Sequence, residues 1–331
     1  MAAATVAVPR PAVARAPSVP AMLAGFGLAT AVALVAALRL PAETTVLGLA
    51  AFGILHNLLE LRYVAGRFDR ILTGPFVALL VALITGIMLC RLAPAAGWSR
   101  PAEILLAYGL LAVACAHGMR RRPAWLAGAA VVLVVAAATS LSYPAYHFVM
   151  LAHLHNVVPL LFLWEWARDL PRGRLAFRAA QIGWVLVVPA LLLAGAFDGW
   201  MAGGAGTVAR FVGGTGKLTS AYTPPHWLDT TAALRFLAVF AFLQTMHYVV
   251  WVGFLPRYAL AATARFESRV RVLRGWRAWA LGAAGAAALA VLFASDYTTG
   301  RTLYSAVASY HAYLEFPVLL ALVLGLEGAT L

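Results

Sequence analysis

Runs of apolar residues long enough to cross a bilayer follow one another along almost the whole chain, and this repetition limits the possible folds more than any other feature. A helix of about 20 residues spans the hydrocarbon core of a bilayer. Only 11% of the 331 residues are charged, against about 25% in soluble proteins. The pattern predicts an all-α, polytopic integral membrane helix bundle with about ten transmembrane helices. The expected spans are 21–40, 44–64, 71–92, 102–119, 123–143, 146–167, 176–197, 231–255, 277–295 and 302–326.

Basic residues are alternately abundant and scarce in successive connections between these spans. With the N-terminus in the cytoplasm, 18 of the 25 lysine and arginine residues fall on the inner side and 7 on the outer side. Cytoplasmic loops carry such an excess, so we expect both the N-terminus and the C-terminus to be cytoplasmic, in a bacterial-type plasma (inner) membrane. Topology and contact with anionic membrane lipids then explain the net charge of +13. No basic stretch interleaved with aromatic residues indicates a nucleic-acid partner.

The spans divide the chain into a short tail and one helical domain. Residues 1–20 contain two arginines, four prolines and no acid, and we expect a disordered basic tail. Residues 21–331 form a single transmembrane domain, because most connections are short. The exception is the Gly-rich outer segment 198–230, which we interpret as a surface loop, with a lid or re-entrant segment as the alternative. Its GGTGKLT stretch is not a phosphate-binding loop, because Phe211 stands where that pattern requires glycine and no strand precedes it.

Histidines inside the apolar runs occur only in even-numbered spans. These spans all run from outside to inside, so depth follows from distance along the helix. At 1.5 Å per residue we expect depths of about 18 Å for His56, roughly 10–14 Å for His153 and His155, about 14 Å for His311 and about 24 Å for His247. Ionisable side chains are costly at membrane depth. We therefore expect a shared site with these five histidines as candidate metal ligands.

Only one of His153 and His155 is expected to face that site, because side chains two residues apart on a helix point about 200° apart. His155 is the better candidate, since a Leu-His-Asn sequence surrounds both His155 and His56. Both histidines nevertheless remain in the predicted ligand set.

Two of the histidines are followed by an acid one helical turn later. His56 precedes Glu60, and His311 precedes Glu315. Residues at i and i+4 share a helix face, so each pair could supply two ligands to one metal. Each acid could instead orient a histidine of its own or of a neighbouring helix. Glu60 and Glu315 are therefore predicted catalytic residues, together with Tyr310, which flanks a ligand and could donate a proton.

The residue types limit the choice of metal. Imidazole and carboxylate groups suit iron, zinc, copper or manganese. Cys90 and Cys115 are isolated within predicted spans, which argues against a thiolate site. His-rich sites with open positions are typical of non-haem iron that binds O₂, so Fe(II) is the expected cofactor, with zinc, copper and haem b as alternatives.

The dispersed histidines and the early His-x-x-x-acid resemble the Brp/Blh-type membrane carotene dioxygenases. In that resemblance His56 through Glu60 match the family's His-Gly-x-x-Asp, with Asn57 and Glu60 differing, and His155, His247 and His311 are the other iron ligands. The resemblance implies Fe(II)-dependent cleavage of a carotenoid by O₂.

Three functions are therefore compatible with the sequence. The first is a metal-dependent, non-haem iron oxygenase or oxidoreductase acting with O₂ on a lipophilic small molecule, a carotenoid or another lipid. The second is a b-type haem electron carrier, with His155 and His311 as the best-matched axial pair. The third is a His/Glu proton-coupled transporter. The sequence does not name a redox partner.

Overall fold

The computed structural model of this protein describes residues 18–202 and 207–324, and no β-strand occurs in these two ranges. Ten of the helices there are long and apolar enough to cross a membrane, which confirms the predicted number of segments. They are α1 (Val19–Arg39), α2 (Pro41–Arg67), α3 (Gly74–Leu92), α4 (Ser99–Met119), α5 (Pro123–Ser142), α6 (Pro144–Asp169), α7 (Arg174–Leu193), α8 (Ala232–Tyr258), α9 (Trp276–Ser295) and α10 (Tyr297–Val323).

The predicted ends of the chain are described only in part. Residues 1–17 of the expected tail and residues 325–331 lie outside the described ranges, and α1 begins at Val19 rather than at residue 21. The tenth helix begins five residues earlier than predicted. Asp296 caps it, because its carboxylate accepts a hydrogen bond from the backbone N–H of Thr299 at 3.1 Å.

Prolines explain two of the sharp connections. Leu40 alone separates α1 from α2, and Tyr143 alone separates α5 from α6. Each precedes a proline, Pro41 or Pro144, that begins the next helix. A residue before proline is disfavoured in the helical region, whereas proline is favoured in the first helical turn. The chain therefore reverses within one residue at both places.

Helix α8 lies at the centre of the bundle and α5 at its edge. In their most apolar windows 72% of α8 is buried but none of α5. Helix α2 packs closely on α9, because Gly282 leaves room for it: a Cβ atom at Gly282 would lie 2.5 Å from Leu55 Cδ1. Small residues allow helices to approach in this way. The contact fixes α2 next to the position of His56.

Described residues of the Gly-rich segment 198–230 make apolar contacts with the bundle. Its described part contains two short helices, Thr207–Val212 and Thr215–Tyr222. Leu218 is buried in a cluster with apolar residues of α2 and α8. The two short helices are therefore anchored to α2 and α8 by apolar contacts.

Candidate metal centre

Four of the five predicted histidine ligands meet at one point. Each of His56, His155, His247 and His311 offers a ring nitrogen, and these four atoms lie within 4.8 Å of one another. The Nε2 atom of His311 is 3.2 Å from Nε2 of both His56 and His155. The rings come from α2, α6, α8 and α10. The structure therefore brings together one histidine from each even-numbered helix except α4.

Three of these helices lose their regular form just after their histidine. Helix α6 is interrupted at Val158, before Pro159, and α10 is interrupted at residues 313–314. A π-helical turn, Val249–Phe254, follows His247 in α8. Pro159 has no N–H to bond the carbonyl four residues earlier, which is that of His155, and this carbonyl instead accepts a hydrogen bond from the Val158 N–H at 3.3 Å. Such irregular turns are frequent at functional sites.

The separations suit a first-row metal ion. At metal–nitrogen distances of 2.0–2.1 Å, adjacent ligand nitrogens lie about 3.0–3.4 Å apart and opposite ones about 4.2 Å apart. The 3.2 Å separations match adjacent ligands, and the 4.8 Å limit exceeds the opposite-ligand distance by only a few tenths of an ångström.

Hydrogen bonding alone does not satisfy the ring nitrogens. His56 Nδ1 donates to the Phe52 carbonyl at 2.9 Å, and His155 Nδ1 donates to Glu315 Oε2 at 2.7 Å. Each ring then presents an unprotonated Nε2 to His311. The single proton of a neutral His311 ring can serve at most one of them. A cation placed between the nitrogens would satisfy every lone pair, and buried polar groups without partners are otherwise costly.

Both predicted acids lie beside the histidines, but each contacts a histidine of another helix. Glu315 holds His155, and Glu60 Oε2 lies 3.8 Å from His247 Nε2. Both acids are almost fully buried. Of the roles left open by the i, i+4 spacing, the structure therefore favours orientation of a neighbouring histidine.

Two predicted site residues lie elsewhere. His153 Nε2 bonds the backbone carbonyl of Tyr222 at 2.8 Å, and its ring packs on Phe240, so His153 is not a member of the four-histidine group. The Tyr310 hydroxyl bonds Thr85 at 2.8 Å. Tyr310 directly precedes His311, and consecutive helical side chains point about 100° apart. Because His311 points into the four-histidine group, the Tyr310 side chain points away from that group.

A cavity of about 750 Å³ reaches three of the histidines from the end of the bundle where α6 and α10 begin. It touches His56, His155 and His311 and is partly closed by the helix that ends at Tyr222. Burial raises the pKa of Tyr222, which lies outside the ten long helices, so its hydroxyl stays protonated at neutral pH. The open side of the histidine group is therefore reached through a preformed space.

Two residues that line this cavity, Glu103 and Tyr248, were not among the predicted catalytic residues. Glu103 accepts hydrogen bonds from Arg91 Nε at 2.8 Å and from the Tyr313 hydroxyl at 2.6 Å. The Tyr248 ring lies 4.8 Å from that of His56, and its hydroxyl accepts a hydrogen bond from Gln244. A glutamate inside an apolar run was the available signal for Glu103.

Comparison with known proteins adds no assignment to this geometry. The chain matches no family model, no curated protein and no solved structure. The resemblance to carotene dioxygenases stays a prediction, and the arguments for function rest on the arrangement of the residues themselves.

Proposed function

We propose that this protein is a membrane-embedded, metal-dependent oxidoreductase whose non-haem iron is bound by His56, His155, His247 and His311. Its substrates are O₂ and a lipophilic small molecule, with carotenoids and other lipids as the candidate classes. The observation that carries the proposal is the convergence of four imidazoles, three buried and that of His155 half-buried, whose lone pairs outnumber the protons available to them.

The surrounding residues fit this chemistry. An Fe(II) ion in this position would supply the binding and activation of O₂. Glu315 keeps the proton of His155 on Nδ1 and so leaves Nε2 free to act as a ligand. His56 is held in the same way by the Phe52 carbonyl. Bulk water is excluded behind the group, because Trp251 is fully buried and its ring lies 6.2 Å from that of His247.

The two alternatives fit the geometry less well. A haem needs two opposing histidines with a flat slot between them, whereas the four rings have neighbouring centroids only 4.6–5.1 Å apart. A transporter needs a path to both sides. The cavity reaches the histidines from one end of the bundle, and the packing of Trp251 against His247 disfavours a continuation past them.

Metal analysis of the purified protein tests the proposal. After anaerobic purification and incubation with Fe(II), we expect one iron per chain, no Soret band, and the EPR signal of a nitrosyl complex when nitric oxide is added. His56→Ala and His311→Ala should lose the iron. His153→Ala is the matched control, because that histidine lies on the same helix as His155 but bonds a backbone carbonyl instead.

Two results would contradict the assignment. One is equal iron content in wild-type protein and in both ligand variants. The other is a Soret band that disappears with His311→Ala. The reaction itself is tested by incubation with a membrane lipid extract under isotopically labelled O₂, and label should enter a lipid product with wild-type protein but not with His56→Ala.

The proposed location is a bacterial-type plasma membrane with both termini in the cytoplasm. The distribution of basic residues supports this orientation. Ser268 is exposed in the arginine-rich connection between α8 and α9, and Ser295 is exposed at the last residue of α9. In intact cells a membrane-impermeant maleimide should label Ser295→Cys, and should label Ser268→Cys only after permeabilisation. The reverse pattern would show the opposite orientation.

A further inference from the structure

The cavity that leads to the histidines has an unbalanced charge at its mouth. Arg100, Lys217 and Arg301 line it there, and we call these three residues the basic entrance. Arg100 and Lys217 are exposed. The only acid among the lining residues is Glu103, which is engaged by Arg91. Among the ion pairs of the described residues none includes a member of the basic entrance.

The aromatic groups near these cations do not neutralise them. The Arg100 guanidinium lies 5.9 Å from the centre of the Phe148 ring. Arg301 lines the same cavity as Tyr222 and Tyr297, and a tyrosine hydroxyl carries no charge at physiological pH. Cations without a counter-charge, lining a preformed cavity, form a binding site for an anion.

Below the basic entrance one face of each of two helices forms the cavity wall. On α10 the lining residues after Arg301 include Tyr304, Ser305, Ala308 and His311. This spacing of three to four residues follows a single helix face. On α6 the same spacing runs through positions 145, 148, 149, 152 and 155. The two faces lead from the cations to the histidines, and the wall between them is largely apolar.

The depth of this groove sets a length scale for its occupant. Ten residues separate Arg301 from His311, which corresponds to about 15 Å along the helix. With carbon–carbon bonds of about 1.5 Å, an extended alkyl chain of roughly ten to twelve carbons covers that depth. A free inorganic anion would fill only the entrance, and a neutral hydrocarbon would leave the three cations without a partner.

We propose that the cavity binds a single-chain amphiphile with an anionic head group, a long-chain carboxylate. Its carboxylate contacts the basic entrance, and the first ten to twelve carbons of its alkyl chain follow α6 and α10 to the histidines. The position of a reacting carbon near the metal rests on the proposed function, whereas recognition of the head group does not. The substrate class named here is therefore a long-chain carboxylate rather than an uncharged carotenoid.

Binding of radiolabelled palmitate to the full-length protein in a neutral detergent tests the inference. Loss of one charge-assisted contact is worth about tenfold in affinity. We expect about tenfold weaker binding for Arg301→Gln and for Lys217→Gln, and near wild-type affinity for Arg301→Lys. Arg39→Gln is the matched control, since Arg39 is an exposed arginine at the end of α1 and does not line the cavity.

Competition experiments separate the head group from the chain. Methyl palmitate has the same chain without the charge and should compete at least about tenfold more weakly. Inorganic phosphate should not compete in the concentration range of palmitate. Equal affinity for palmitate and its methyl ester, or unchanged palmitate binding by both Arg301→Gln and Lys217→Gln, would overturn the proposal. Competition by phosphate at palmitate concentrations would also overturn it, because charge alone would then be recognised.

Failure of this inference is distinguishable from failure of the proposed function. The binding assay needs no metal. Palmitate binding by protein that takes up no iron would support the basic entrance while refuting the metal proposal. Iron binding together with indifference to the charge of the amphiphile would refute the basic entrance alone.

Discussion

Replacing Glu315 with glutamine tests whether the acids act through the histidines. The Glu315 carboxylate accepts the Nδ1 proton of His155 at 2.7 Å and is almost fully buried. Glutamine has nearly the same volume, so the cavity and the backbone should be preserved. What changes is the charge on the acceptor. A carboxylate makes the opposite nitrogen of His155 a better metal ligand, and an amide does so less well.

The expected loss of Fe(II) affinity follows from the strength of the hydrogen bond that the substitution weakens. A hydrogen bond to a charged group contributes about 1.5–3 kcal/mol, and one between neutral groups about 0.5–1.5 kcal/mol. The difference of about 1–1.5 kcal/mol corresponds to roughly tenfold in affinity. Loss of a group that orients a metal-bound histidine commonly costs 10–100-fold. We therefore expect Glu315→Gln to weaken Fe(II) binding by about tenfold, and His155→Ala to weaken it much further.

Anaerobic competition for Fe(II) against a chelator of known affinity measures this change. Glu165→Gln is the matched control, because Glu165 is equally buried but pairs with Arg67 instead of a histidine. It should lower the melting temperature and leave the iron affinity unchanged. An iron affinity for Glu315→Gln within twofold of wild type would refute the reasoning. A loss of the same size in Glu165→Gln would assign the effect to general destabilisation.

Two further substitution pairs test the packing and the ion pairs. Gly282→Ala should lower the free energy of unfolding by about 1–3 kcal/mol, because its Cβ would lie 2.5 Å from Leu55; Gly25→Ala, which meets nothing within 4 Å, should have no such effect in thermal denaturation. Glu267→Gln should cost about 3–5 kcal/mol by leaving the buried Arg62 without its acid. Asp69→Asn breaks a more exposed pair and should cost under about 1 kcal/mol. Equal melting temperatures within either pair would contradict the corresponding argument.

Hydropathy was sufficient for the number of long helices because it depends on composition over about 20 residues. It failed at the start of α10, where a polar first turn runs from Tyr297 to Arg301. Tyr297 and Arg301 of that turn line the cavity, so the polar residues belong to the cavity wall and not to a connecting loop. A hydropathy window cannot distinguish a polar turn that faces a cavity from a loop.

The histidine group was predictable because the even-numbered helices run in one direction. The predicted depths of the four grouped histidines were spread over about 10 Å, but the error came from the helix starts. Counted from the observed first residues of α2, α6, α8 and α10, the four histidines lie roughly 16–23 Å along their helices. The remaining spread is about one helical turn, which tilts and the irregular turns can absorb.

Rotation about the helix axes was not predictable from one sequence. The i, i+4 spacing correctly placed Glu60 and Glu315 near the histidines but could not show that each contacts a histidine of another helix. The sequence context favoured His155 over His153 but could not show what His153 contacts instead. Its partner is the carbonyl of Tyr222, which is 69 residues away in the chain and belongs to a segment without helical periodicity of its own.

Pro159 shows how local strain in a helix serves the site. Alanine there would supply the missing N–H, and the bond to the His155 carbonyl would be restored. Helix α6 should become more stable, by up to about 3 kcal/mol, while the backbone at His155 adopts the regular helical path and the His155 ring moves away from the His247 ring, whose centroid now lies 4.6 Å from its own. We expect a higher melting temperature together with weaker Fe(II) binding.

Pro189→Ala in α7 is the control for that experiment, because it removes a proline from a helix that contributes no ligand. It should raise the melting temperature without changing the iron affinity. Pro159→Ala should raise the melting temperature but lower the iron affinity. General damage to the protein would lower both, so this opposite change is the decisive result. If the Pro159 variant gained stability and bound iron as tightly as wild type, the interruption of α6 would have no part in assembling the four imidazoles, and the convergence would have to come from helix tilt alone.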